Sequence, residues 1–221
     1  MKKILLGCLF LGTGIIMNAE EITVYGPSSM KWIGKKYGPI FEQKTGDTIK
    51  FVSIDGLVGR LNLEKKNPKA DIVVGMTELT TEIAKREELI LPYIPKNISN
   101  IAKEEYKMYS DYVVPIDYGF LAINYNKKKI KEVPHNLEEL GKMNKKLLVE
   151  NPMLSNTGQE ALQWSIALYG DNWMEFWKVL KPAIYSTEPG WTEAFAKFTA
   201  GEAPICLLYT SPSPRDPKTS R

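Results

Sequence analysis

Short β-branched runs alternate along the chain with segments whose apolar residues recur every three or four positions. Ile22-Thr23-Val24-Tyr25 reads as a strand, broken by Gly26-Pro27. Ile33, Tyr37, Ile40 and Phe41 then fall at helical spacing up to Gly46, behind the N-cap types Ser28 and Ser29. The same alternation predicts strands over 48–54 and 71–74. It predicts helices over 56–64, with Leu57 and Leu61 one turn apart, and over 77–86. Strands and helices in this rhythm imply βαβ units and a mostly parallel sheet.

Pro92 and Pro95 close that block, and a polar, irregular stretch runs to Tyr109. Residues 112–125 follow, too long and apolar for a loop. Pro115 and Gly119 interrupt them, as where a strand bends or the chain passes between domains. Beyond lie a helix near 136–143, the strand Leu147-Leu148-Val149, and a helix capped by Ser155-Asn156-Thr157-Gly158 that ends at Gly170. Asp171 caps the next helix, where Trp173, Phe176, Trp177 and Leu180 form an apolar stripe that reads as core. A last helix spans 191–200, closed by Gly201.

Composition narrows the class. The chain has 221 residues, 43% hydrophobic and 25% charged, which suits a globular protein of two modest domains. The net charge of +3 is interspersed, as in Lys85-Arg86-Glu87-Glu88, so nothing in it points to nucleic acid. Lys2-Lys3, the apolar run 4–17 and the small residue Ala19 have the form of a secretory leader cleaved after Ala19. Only Cys206 then remains, which forbids an internal disulfide. From Cys206 onward, Cys-Leu-Leu-Tyr-Thr-Ser-Pro-Ser-Pro-Arg-Asp resembles the conceptual translation of a sequencing adapter. The expected organisation is therefore a signal peptide (1–19), a first lobe (20–113), a second lobe (114–205) and a non-native tail (206–221), both lobes lacking C-terminal elements.

Several motifs carry a family resemblance. Phe41-Glu42-Gln43-Lys44-Thr45-Gly46, Asn67 to Gly75, Val114-Pro115-Ile116-Asp117-Tyr118-Gly119, Asn151-Pro152 through Ser155 with Gly158 and Trp164, and Gly190-Trp191-Thr192-Glu193-Ala194 occur in this order. Together they resemble type II periplasmic binding proteins, and within them the thiamine-binding subfamily. The resemblance covers Ile22 to about Ile205. It implies an α/β fold of two lobes with a ligand cleft between them, the C-terminal part missing. It also implies a solute-binding component of an ABC importer, a monomer that takes thiamine or a thiamine phosphate in the periplasm and delivers it to the permease and its ATPase.

Thiamine offers a cationic thiazolium, a flat aminopyrimidine and, when phosphorylated, an anionic tail. Its site needs aromatic faces, a carboxylate and anion donors. The resemblance falls on Trp191 as the ring for the cation, although Trp191 could simply pack on Phe195. Asp55-Gly56 follows the second strand, where open α/β sheets bind ligands, although Asp55 could be a plain N-cap. Ser28, Ser29, Ser155, Asn156 and Thr157 stand at helix starts that favour anions; capping is the equal alternative. For Ser155 the resemblance to a phosphate-contacting serine favours the ligand.

Tyr25 and Trp32 are candidate aromatic walls, with Pro27 standing where the family commonly has a tyrosine. Asp117 and Tyr118 match crossover residues, and Tyr209 aligns with a site-lining tyrosine. His135 is expected in an exposed loop, and the sequence implies neither a metal nor a cofactor. An enzyme on the same fold that cleaves or processes thiamine would need an activated cysteine, for which only Cys206 is at hand. A ferric or polyamine binder of the same class is the other alternative.

Overall fold

The computed structural model describes residues 19–98, 110–117 and 119–210. The expected leader and residues 211–221 lie outside them. Two sheets organise the chain. Sheet A has the order β2-β1-β3, built from β1 (Glu21–Gly26), β2 (Thr48–Ser53) and β3 (Ile72–Val73), all parallel. Helices α1 (Lys31–Thr45), α2 (Leu57–Leu63) and α3 (Glu78–Arg86) supply the expected connections. Thr77 caps α3 reciprocally with Thr80.

Sheet B has the order β4-β7-β5-β6, from β4 (Phe120–Tyr125), β5 (Leu147–Glu150), β6 (Ile184–Glu188) and β7 (Ile205–Thr210). Strand β5 runs parallel to β6 and β7, and β4 antiparallel to β7. Every residue of β5 is buried, as a strand covered on both faces must be. On one face Leu147, Val149, Phe176, Leu180 and Ile205 form a core that α4 (Leu137–Gly141) and α6 (Trp173–Leu180) complete. On the other, Leu148, Cys206 and Leu208 meet Ala194 of α7 (Trp191–Ala200). Helix α5 (Asn156–Tyr169) leads out of β5.

Three expectations need correction. The run 112–125 becomes a strand only from Phe120; residues 113–117 and 119 take no regular structure, because Pro115 and Gly119 break the ladder. Asp171 does not cap α6, whose N-cap Asn172 makes no side-chain bond. Strand β7 runs through the boundary placed after Ile205, so residues 206–210 sit between β4 and β5 in sheet B. The stripe on α6 holds as read: Phe176 and Leu180 are buried, and the Trp177 indole donates to Ser165 Oγ at 3.0 Å.

Candidate functional site

The carboxyl ends of the parallel strands in both sheets meet each other. From sheet A come the turns after β1, β2 and β3; from sheet B, those after β5 and β6. Among the described residues, hydrogen bonds from each of these turns join them. Ser28 and Thr192 share one of 2.7 Å between their hydroxyls. The Gly56 N–H donates to the Leu154 carbonyl at 3.0 Å. The Asn156 side chain donates to the Gly75 carbonyl at 2.5 Å. Strand carboxyl ends are where open α/β sheets take ligands, because the following helices present their N–H groups there.

Each turn has a local cause. Gly56 holds φ +70°, a conformation that costs glycine nothing, and this turns its N–H toward Leu154. Gly56 itself is the N-cap of α2, with no side-chain cap, so Asp55 is not spent on capping. Gly158 packs its bare α-carbon onto the backbone of Glu150 to Pro152; a Cβ there would stand 2.6 Å from the Glu150 carbonyl oxygen. That close approach lets α5 begin directly against the end of β5. Ser155 caps α5, accepting from the Gly158 N–H, and its hydroxyl donates to Glu150.

The electrostatics of the junction are acidic. An exposed Asp55 has its carboxyl held above the usual range, first by desolvation and then by Glu193, with Lys31 opposing. A Cβ on Gly190 would lie 3.2 Å from Glu193 Oε2 and 3.7 Å from Asp55 Oδ1, so both carboxylates border the same glycine. Glu150 is 4% exposed. Burial pushes its carboxyl up to about 7, helped by Glu193 and Glu160 and opposed by the Ser155 and Thr157 hydroxyls. One oxygen each of Glu150 and Glu193 is buried without a hydrogen-bond partner. Glu160 is likewise raised by burial, accepts from the Tyr209 hydroxyl at 3.1 Å, and feels Glu78 of α3.

The sequence-derived candidates separate on this geometry. Ser28, Asp55, Gly56, Ser155, Asn156, Thr157 and Trp191 are brought together at the junction. Tyr25 is not a wall of it: the ring is buried with Leu57 and Leu61, and its hydroxyl bonds Glu64. Val24 and Tyr25 are both 4% exposed, so this end of β1 is covered on both faces and the ring goes into the core. Ser28 and Ser29 do not cap α1, because a 3-10 turn over Ser28–Met30 intervenes; Ser29 is exposed.

Trp32 is half-buried edge-on to Tyr37, with ring centroids 6.0 Å apart. Trp191 does pack on Phe195, the rings stacked at 4.7 Å and 9°, and stays half-buried. Asp117 is exposed on the passage between the sheets, and Tyr118 lies outside the described residues. Tyr209 is engaged by Glu160. His135 is exposed, its N–H bonded to Glu139. Sequence reasoning missed Glu150 and Glu193. A polar residue closing the apolar run Leu147-Leu148-Val149 at a strand's carboxyl end was the available signal for Glu150.

Two α/β sheets thus meet at their strand carboxyl ends across an acidic junction. The family of bacterial extracellular solute-binding proteins matches residues 19–217. The chain belongs to this family. Among relatives of this solute-binding protein, a thiamine-binding periplasmic protein of Brucella abortus biovar 1 (strain 9-941) is 35% identical over 201 residues. The alignment takes in 87% of this chain and 59% of that one, so the chain spans under two thirds of its relative's length. A solved periplasmic thiamin binding protein superposes with a TM-score of 0.73 at 29% identity, over 91% of this chain and 65% of that one. A ferric binding protein from Campylobacter jejuni superposes with a TM-score of 0.68 at 20% identity, over 90% and 67% of the two chains, and shares the fold alone. These likenesses bear out the type II periplasmic binding protein fold expected from the sequence.

Proposed function

We propose that this solute-binding protein takes thiamine or a thiamine phosphate in the periplasm and delivers it to the permease of an ABC importer. The observation that carries this reading is the convergence of Asp55, Ser155 and Trp191 at the junction of the two sheets, with an excess of carboxylates around them. A flat organic cation is the ligand such a junction suits. The acids balance its charge and the indole accepts its face. Relatives named for thiamine binding support the choice of cation. The two sheets would close on the solute as hinged lobes do.

Catalysis of thiamine cleavage has little support. Cys206 is 0% exposed, and burial, with Glu150 and Glu188 beside it, pushes its thiol well above the usual range. A catalytic nucleophile needs the opposite shift. Calorimetric titration with thiamine tests the reading. Saturable heat is expected, and Trp191→Ala should weaken binding by about 2- to 30-fold, the worth of one cation–π contact. No heat from folded wild-type protein would overturn it.

A further inference from the structure

The Ser155 hydroxyl, the expected phosphate contact, already has a partner. It donates to the carboxylate of Glu150, which lies buried at the end of β5. We propose that Glu150 makes this site selective for the unphosphorylated organic cation over its phosphate ester, because a carboxylate occupies the hydroxyl that an ester's phosphate would need. This rests on the thiamine reading above and narrows it.

A purely structural role fits Glu150 poorly. Its neighbour in register on β6, Glu188, shows what a structural buried acid looks like here. Glu188 accepts from Lys197 at 2.7 Å and from Ser186 at 2.5 Å. Burial alone would push the Glu188 carboxyl up, and these partners bring it below the usual range instead. Glu150 has no such cation. One of its oxygens takes the Ser155 hydroxyl and the other is buried without a partner, as is one oxygen of Glu193. Orphaned buried acceptors are costly, so they mark places where a donor belongs. The Glu193 oxygen borders the same Gly190 as the Asp55 carboxyl, and Glu150 feels the charge of Glu193; this run of acids suits an amine or a cationic ring. It repels a phosphate. An anion at the N-terminus of α5 would gain the N–H groups and helix dipole there but meet Glu150 at close range.

Among the described residues, few groups face Glu150. Helix α7 presents Glu193, and α5 presents Glu160 with the Ser155 and Thr157 hydroxyls. Strand β6 presents Glu188, neutralised by Lys197, and β7 presents Cys206 and Tyr209, whose protons are held tightly. The Glu150 carboxyl is raised to about 7, so it is charged in mildly alkaline solution and neutral in mildly acidic solution. Exclusion of an anionic ester should follow the same curve.

Calorimetric titrations of wild type and Glu150→Gln with thiamine, thiamine monophosphate and the O-sulfate ester of thiamine test this at about pH 8 and about pH 6. The sulfate keeps one charge across that range, so its pH dependence reports the protein. At the higher pH, wild type should favour thiamine over either ester by at least about tenfold, and Glu150→Gln should cut that preference to about threefold or less. Acidification should narrow the wild-type preference over the sulfate ester and leave the variant's unchanged. Thiamine binding with equal affinity for the esters, or the same preference in both proteins, overturns the inference alone. If Glu150→Gln does not fold, the sulfate ester on wild type decides: a preference constant between the two pH values overturns it. Wild type that binds no thiamine overturns the reading beneath it as well.

Discussion

Sheet A and sheet B share a parallel βαβ construction, yet they bury it to different depths. Around sheet A, the buried apolar cluster is Tyr25, Leu57 and Leu61, ringed by half-buried Val52, Ile54 and Val73. Around sheet B, eight buried residues from Ile130 to Ile205 form one cluster, and a second forms on the opposite face around Leu148 and Cys206. The two halves of the site inherit this difference. Sheet A contributes exposed Asp55 and half-buried Ser28. Sheet B contributes Glu150, Ser155 and Thr157, all buried. A desolvated charge interacts strongly and stays in place only where the surrounding core is rigid. The selectivity proposed above would therefore rest on sheet B, with sheet A adding the contacts that complete the junction.

Substitutions in the two cores sharpen this contrast most. Phe176, 1% exposed, sits edge-on to Trp164, Tyr169 and Trp177. Phe176→Ala should cost about 3–5 kcal/mol in urea unfolding; a loss under about 1 kcal/mol would refute the view of sheet B as the rigid half. Next in size is a gain. Glu150 has its carboxyl raised from 4.5 to about 7, so its contribution favours the fold below about pH 4.5 and is lost as pH rises through about 7. Glu150→Gln mimics the protonated form. It should be more stable than wild type by up to about 3 kcal/mol above neutrality, the two curves meeting in acid. A constant difference across pH would show that Glu150 does not titrate in this window.

Smaller effects probe the other half. Leu61, 9% exposed among half-buried neighbours, can be truncated with partial relaxation, so Leu61→Ala should cost about 2 kcal/mol. A cost matching that of Phe176→Ala would erase the contrast. Amide exchange should also open sheet A at lower free energy than sheet B. Smallest, and back in the sheet B half, Ser165→Ala should cost about 1 kcal/mol, because it leaves the Trp177 N–H without its acceptor. Indole fluorescence during unfolding reports it.

Periodicity was enough to locate most elements. Strands β1, β2, β3 and β5 and helices α1 to α7 follow from runs and stripes such as Leu57/Leu61 and Phe176/Leu180, because one buried face dictates the spacing of apolar residues. Strand β6 escaped because Ile184-Tyr185-Ser186-Thr187-Glu188 is mostly polar: its inward positions include Ser186 and Glu188, satisfied by each other and by Lys197 from α7. Strand β7 escaped because its sequence was read as a tail, whereas pairing with β4 and β5 makes residues 205–210 a central strand.

The site divides along the same line. Asp55, Ser155, Asn156, Thr157 and Trp191 were legible as residues that follow strands and start helices, since local chain geometry places such positions at the carboxyl edge of a sheet. Which way a side chain turns was not legible. Tyr25 went to the core, Trp191 stacked on Phe195, and the Ser155 hydroxyl was taken by Glu150. Those outcomes depend on partners such as Phe195, 4 positions from Trp191, and Glu64, 39 positions from Tyr25. The amino-acid order alone determined that parallel βαβ units form and where most of their loops end. Only packing decided which carboxylates share a dry junction, because desolvation is a property of the surroundings rather than of the residue.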